Sequence, residues 1–422
     1  MHPNRIASRR SIVLSLAMLL AVPAAEGATR LTYEIGGKPT AIAWEADAFP
    51  LRYVVDERLA AVAGGAATVR RGFDAWGSIT GSRVSFADSG VRAAAAGRDG
   101  LNSVSLSDPL FANSGFIAYA TTWFDDRGVM TEADIQIDTA AAGEGKLAAL
   151  IHHEIGHLLG LDHSAVLSSV MYPWVEDDAT ILDSDDRLAI AAIYPTSQFP
   201  AENALIRGTV RGQRGGVFAA QVVAVDERGS PVSSRLTGSD GTFEMHVPAG
   251  RYRLYVEPLN GPVDVRNLSG VWRQADGEDF RTEFFPPGEI DVAGGRTYDG
   301  IELRGEGPAL LNPKWIGVHA AGANEIRLSS SVSVLRTGSE MAVAVGGDGI
   351  VGGLTELEVM SRDVVRVSDF QYGANYVWAI FRVSPTAPAT SLVVLVRNGS
   401  NEAALTGGLR IINGPPRRRA VR

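Results

Sequence analysis

The spacing of apolar positions changes several times along the chain, and each change predicts an element. Leu51-Arg52-Tyr53-Val54-Val55 reads as a strand. Asp56 can cap a helix after it, in which Leu59, Val62, Ala66, Val69, Phe73 and Trp76 recur at intervals of three and four and form an apolar stripe suited to packing on a sheet. Short strands are expected around Val84 to Phe86, Leu101 to Leu106 and Gly115 to Ala120. Asp125-Asp126-Arg127-Gly128 has the chemistry of a hairpin turn, with Ala133 to Asp138 as the strand that follows it. A second helix is expected over Glu144 to Leu159.

After Tyr194-Pro195 the helical period disappears. Leu205 to Arg304 alternates in short strands divided by Gly and Pro turns, which is a β-sandwich pattern. Pro308 to Asn413 alternates again, with strand candidates at Val332 to Leu335, Met341 to Val345, Leu357 to Met360, Val377 to Val383 and Leu392 to Val396. The expected fold is therefore multidomain, with an α+β module over 29–198, β-sandwiches over 203–305 and 308–414, the second of immunoglobulin type on pattern alone, and a basic tail over 415–422.

A length of 422 residues agrees with such a division, at roughly 150 residues per domain. With 45% hydrophobic and 21% charged residues, the chain can build real cores. A net charge of −9 and a pI near 5.4 argue against nucleic acid as a partner, and no basic patch precedes Arg417-Arg418-Arg419. Arg5, Arg9 and Arg10, an apolar run from Ile12 to Val22 and small residues through Ala28 predict an export signal over 1–28, too short to span a bilayer stably. Ser8-Arg9-Arg10-Ser11-Ile12 resembles a twin-arginine signal, and Sec export fits as well, so a secreted or periplasmic location is expected. The chain has no cysteine, so no disulfide staples it.

Four of the seven histidines, His152, His153, His157 and His163, fall within twelve residues. On a helix, His153 and His157 stand one turn apart on one face. Gly160 can adopt positive φ just beyond it and return His163 to the same point. Three imidazoles around Zn²⁺ leave one tetrahedral position for water, the mark of a catalytic site, since structural zinc sites are closed by four protein ligands. Glu154 lies where it could take a proton from that water and later return it to a leaving amine, so peptide-bond hydrolysis is the expected chemistry. His152 points about 100° from His153 on a helix and is read as a packing residue.

The run from His153 to His163, in the pattern H-E-x-x-H-x-x-G-x-x-H, followed by Ser169-Val170-Met171-Tyr172-Pro173, resembles the metzincin zinc metallopeptidases. Asp162-His163-Ser164 with Met171-Tyr172-Pro173 is most similar to their matrixin branch, and Asp185-Asp186 with Leu188, Ile190, Ile193 and Tyr194 resembles its closing helix; the resemblance covers about residues 38–197. It implies that Met171 sits in a turn beneath the metal as an apolar floor, and that Ala118 and Tyr119 belong to a strand along the cleft that pairs with an extended protein or peptide substrate, although an ordinary interior strand fits those residues equally. It also raises calcium, for which Asp125, Asp126, Glu132 and Asp134 could offer oxygens, with solvated acidic turns as the plainer reading. The second zinc of animal matrixins needs histidines before the helix, and none lies between His2 and His152, so one zinc is expected. Neither a propeptide cysteine nor room for a prodomain between Ala28 and Ala41 is seen, so the expectation is a protein made active or one restrained by other means.

In the following stretch, Gly208-Thr209-Val210, Ala220 to Val223, Asp240-Gly241-Thr242-Phe243 and Pro248 to Tyr252 resemble the carboxypeptidase regulatory-like, or transthyretin-like, β-module, which implies a fold and no catalysis. The two β-modules could offer a surface to a protein or carbohydrate, with Trp272, Trp315 and Trp378 as candidate platform residues or as core. The competing functional class is an exported binding or adhesion protein whose metzincin-like module is idle or acts only on its own chain. Intact His153, Glu154, His157 and His163 favour the enzyme.

Overall fold

The computed structural model describes residues 29–107, 117–143, 145–175, 179–323 and 325–414. The expected export signal, the basic tail and the residues Gly115 and Phe116 of the expected cleft strand lie outside these. No described helix is long and apolar enough to cross a membrane.

The first part of the chain is a twisted sheet with helices against it. A hairpin of β1 (Thr32–Ile35) and β2 (Lys38–Ala41) precedes β3 (Leu51–Asp56). Two helices follow, α1 (Glu57–Ala61) and α2 (Gly65–Gly77), and then β4 (Phe86–Arg92), β5 (Asn102–Ser107), β6 (Ala118–Phe124) and β7 (Met130–Asp138). The sheet order is β4-β3-β5-β7-β6, with β6 at the edge and antiparallel to β7 while the other pairs run parallel.

The single helix expected from Asp56 is thus two. Asp56 caps α1 by accepting from the Arg58 N–H, but Gly64 has φ of 73° and breaks the run before α2. Gly65 then sits so near the end of α1 that a Cβ there would fall 2.0 Å from the Leu59 carbonyl oxygen. The β4 strand also departs from expectation, running to Arg92 instead of ending at Phe86, because an exposed edge strand needs no apolar alternation to be held by its neighbour β3.

After α3 (Thr139–Gly143) comes α4 (Leu147–Leu158), then α5 (Ser184–Ile193) and α6 (Phe199–Glu202). Gly145, with φ of 83°, delays the start of α4 relative to the expected Glu144. The α2 and α4 helices approach closely at Gly72, where a Cβ would meet Ile151 Cγ2 at 2.5 Å. Val69, Phe73 and Trp76 of α2 join Leu150, Ile151 and Ile155 of α4 and Val104, Ile135 and Ile137 of the sheet in one buried cluster.

The rest is β-structure. Strands Pro231–Leu236, Gln221–Asp226, Gly250–Glu257 and Glu283–Phe284 form one sheet, with Ile290–Val292 also paired to Gly250–Glu257. Thr242–Pro248, Asn203–Gly212 and Thr297–Arg304 form a second sheet, and residues of both share one apolar cluster. Farther on, the sheet Asn312–Ala320, Glu340–Asp348, Tyr376–Val383 and Val364–Arg366 shares another cluster with the sheet Ser333–Arg336, Asn401–Ile412, Ser391–Asn398 and Thr355–Val359. The long strand Asn401–Ile412 was not expected from the pattern, because Gly407-Gly408 interrupts its alternation. The strand absorbs them as an irregularity opposite Leu392 and Val394, with Gly407 at φ of 70°.

Candidate metal centre

The sequence around α4 fixes the site. His153 and His157 face one way on the helix, and its last turn closes with the Leu161 N–H donating to the Gly156 carbonyl and the Gly160 N–H donating to that of His157, at 3.0 and 2.9 Å. This Schellman closure needs a left-handed residue, and Gly160 supplies it with φ of 90°. Two more carbonyls at the helix end are taken by side chains: Trp44 Nε1 donates to Leu158 at 2.8 Å and the Tyr194 hydroxyl to Leu159 at 2.8 Å. The chain then turns back and carries His163 to the other two rings.

The three ring centroids are 4.8, 5.2 and 4.9 Å apart, and one ligand nitrogen from each lies within 4.8 Å of the others. Among the described residues, this is the only grouping of three or more His, Asp or Glu side chains that could hold a metal ion. Each Nδ1 meets a backbone carbonyl: His153 that of Val170 at 2.6 Å, His157 that of Leu161 at 2.8 Å, and His163 that of Asn267 at 2.5 Å. Since a carbonyl only accepts, each Nδ1 carries a proton, and in the neutral ring that leaves Nε2 as the ligand atom. Burial first, and then the neighbouring rings, hold His153 well below the ordinary imidazole range and His157 down at about 3, which keeps these rings neutral.

Glu154 is buried beside them. One carboxylate oxygen accepts from the Ala120 N–H, and Oε2 is buried with no hydrogen-bond partner. Burial raises this carboxyl to about 8, against which the Ala120 hydrogen bond works. A buried, unpaired oxygen beside three converging nitrogen lone pairs is what a metal with a reacting solvent molecule would use. The donor set therefore fits a zinc ion.

Met171 lies under the helix. A Cβ on Gly156 would fall 2.1 Å from its Sδ. The segment holding it is fixed by the α5 carboxylates: Asp186 accepts from Ser169 Oγ at 2.5 Å and from the Val170 N–H at 3.1 Å, and Asp185 from Ser164 Oγ at 3.2 Å. His152 stands apart from the triad, with Nδ1 on the Ala148 carbonyl at 2.7 Å.

Of the two cleft candidates, Ala118 is buried and Tyr119 is 48% exposed, on an edge strand and not an interior one. The Ala120 N–H that reaches Glu154 brings this edge to the triad.

The calcium candidates find no support. Glu132 accepts from the N–H groups of Asp99 and Gly100, and Asp134 from those of Gly97 and Ser103, so both organise the 97–103 loop, while Asp125 holds its own turn through Arg127 and Val129. Nor do the three tryptophans share a platform, because Trp272 is 1% exposed and donates Nε1 to the Arg30 carbonyl.

The outer layer of the site leaves no mark in the sequence. The acceptors Val170, Leu161 and Asn267 are backbone carbonyls, which carry no residue signature, and Asn267 lies 104 positions from the histidine it holds.

Comparison with known proteins agrees with this geometry over part of the chain. Residues 110–195 match the model of the matrixin family of peptidases. Karilysin of Tannerella forsythia is 48% identical over 48 residues, 11% of this chain and 10% of that protein. Matrix metalloproteinase-2 of Drosophila melanogaster is 46% identical over 48 residues, 11% of this chain and 6% of its own length. The chain thus matches about a tenth or less of these relatives. Among solved structures, a putative adhesin from Bacteroides ovatus is 12% identical over 52% of this chain and 91% of that one, with a TM-score of 0.17.

Proposed function

We propose that the chain is an exported zinc-dependent endopeptidase that hydrolyses peptide bonds. Its unit is a matrixin-like α+β module over 29–198, followed by a carboxypeptidase regulatory-like sandwich over 203–305 and an immunoglobulin-like one over 308–414. The observation that carries the reading is the unpartnered Glu154 Oε2 beside three rings that all turn Nε2 to one point. His153, His157 and His163 would hold the ion. Zinc, when bound, supplies a Lewis acid that polarises the scissile carbonyl and makes a water molecule acidic near neutral pH.

The remaining work falls to the chain itself. Glu154 takes the proton of the attacking water on its free oxygen and delivers it to the departing amine, and the Ala120 N–H fixes the other oxygen so that the free one faces the substrate. The edge of β6, including Ala118 and Tyr119, aligns an extended peptide by main-chain hydrogen bonds. Met171, packed against Gly156 of the same helix that carries His153 and His157, would form an apolar floor beneath the rings.

The test is Glu154→Gln in the full chain, measured for zinc content and for cleavage of denatured casein. Retained zinc with turnover lower by about 10² to 10⁴ supports the reading. Zinc-loaded wild type that cuts no protein supplied in trans would instead favour a binding protein with a metal centre.

A further inference from the structure

The partner of His163 Nδ1 belongs to none of the elements that carry the triad. Asn267 lies in the connection 258–282 of the second module, between the strands Gly250–Glu257 and Glu283–Phe284. This connection is built against the first module along its whole middle. Asp264 caps the turn Val265–Asn267, accepting from the Arg266 N–H at 2.8 Å, while Asn267 Oδ1 accepts from the Asp264 N–H at 2.9 Å. The Ser269 N–H donates to Asp162 Oδ2 at 2.8 Å, and Oδ1 of the same buried carboxylate accepts from the His163 N–H at 2.8 Å. Gly270, with φ of 54°, passes so near the N-terminal segment that a Cβ there would lie 1.9 Å from the Thr32 carbonyl oxygen. Trp272 is buried and bound to the Arg30 carbonyl at 2.9 Å.

The third module holds a second part of the outer layer. The Leu167 N–H donates to the Thr406 carbonyl at 2.9 Å, and Arg410 donates to the Ser168 carbonyl and pairs with Asp183. Ser391 Oγ donates to Asp183 Oδ2 at 2.7 Å. The stretch clamped in this way leads into Val170, whose carbonyl accepts from His153 Nδ1.

Resting on the reading of the site as a metal centre, we propose that this centre is shared between modules. The segment 264–272 is a positioning element for His163, and the hydrolytic unit is the whole three-module chain, not the first module with detachable appendages. His163 depends most on such a partner, since it stands on a turn beyond α4 and lacks the helical backbone that orients His153 and His157. The carbonyl acceptor sets its tautomer and its ring direction together, and loss of acceptors of this kind weakens metal binding by about 10-fold to 100-fold.

The experiment measures zinc affinity by chelator competition, and the visible absorption of the cobalt-substituted protein, in the full chain at a temperature where circular dichroism shows every variant folded. Gly270→Ala drives the segment off Thr32, and Asn267→Ala removes the side chain that closes the turn. Val222→Ala is the control, a truncation in the apolar core of the second module away from the segment. At least about 10-fold weaker zinc binding in Gly270→Ala or Asn267→Ala, with a changed cobalt spectrum and wild-type affinity in Val222→Ala, is expected. Affinity within about twofold of wild type in both segment variants would overturn the proposal while leaving the metal centre intact. Wild type that binds no zinc would overturn both, and if Gly270→Ala does not fold, Asn267→Ala decides alone.

Discussion

Gly156 of α4 and Met171 are in contact, with Sδ 2.1 Å and Cε 3.0 Å from the place a Cβ on Gly156 would occupy, and Trp76 Cζ2 3.2 Å away. One methyl group there cannot be accommodated without moving the methionine. On helix propensity alone, Gly156→Ala should stabilise α4 by about 1 kcal/mol. Overpacking against Met171 and Trp76 should outweigh this and leave the protein destabilised by about 1 to 3 kcal/mol. Calorimetry checks the sign: a higher melting temperature in Gly156→Ala would mean that Met171 is not fixed under the helix. Gly156→Ala together with Met171→Ala should recover part of the loss.

Gly160 presents a different case, in which backbone and space act together. Its φ of 90° disfavours any side chain by about 1 to 2 kcal/mol, and a Cβ would also stand 2.9 Å from the Ile42 carbonyl oxygen. Gly160→Ala should lower the melting temperature and, because the turn delivers His163, weaken zinc binding as well. Titration with a chelator separates the effects; reduced stability with unchanged zinc affinity would show that the chain reaches His163 by another path.

The convergence of the three histidines was legible in the sequence because their spacing reports helix geometry: His153 and His157 share a face, and Gly160 permits the return. Strand positions after residue 200 were legible because alternation reports strand geometry, as at Val377 to Val383, which lies within Tyr376–Val383. What failed to show were effects of three-dimensional neighbours. The break at Gly64 depends on a left-handed backbone inside an otherwise continuous apolar stripe, and Asn401–Ile412 holds two glycines that only its partner strands make tolerable. Asn267 could not have been found from any local pattern, because its part in the site is played by a carbonyl that every residue has.

Metal removal should act on folding as well as on turnover. Zinc that binds only the folded chain adds stability that grows with the ratio of free ion to dissociation constant, about 2.7 kcal/mol at a hundredfold excess. Chelation should therefore lower the melting temperature and abolish cleavage, with both restored by added zinc. His157→Ala should show the lower melting temperature from the outset and no further response to chelator. A chelator effect of equal size in His157→Ala and wild type would place the stabilising ion elsewhere.

Buried carboxyl groups also set a pH dependence. Glu257 is buried, accepts from Thr406 Oγ1 at 2.6 Å, and is raised by burial to about 8, with the Thr406 hydrogen bond opposing the shift. Its folded-state value thus lies above that of the unfolded chain. The native protein holds a proton that the unfolded one releases, so the stabilising contribution is complete below about pH 4 and is lost as pH rises through 8. Asp185, taken to about 7, and Asp186, to about 6, act in the same direction, each chiefly through burial. In the metal-free full chain, the melting temperature should accordingly fall between pH 5 and pH 8. Glu257→Gln keeps a neutral acceptor for Thr406 and removes the titration, so its decline over this range should be shallower by an amount on the order of a few kcal/mol. An identical slope in Glu257→Gln and wild type would mean that Glu257 is ionised within the fold.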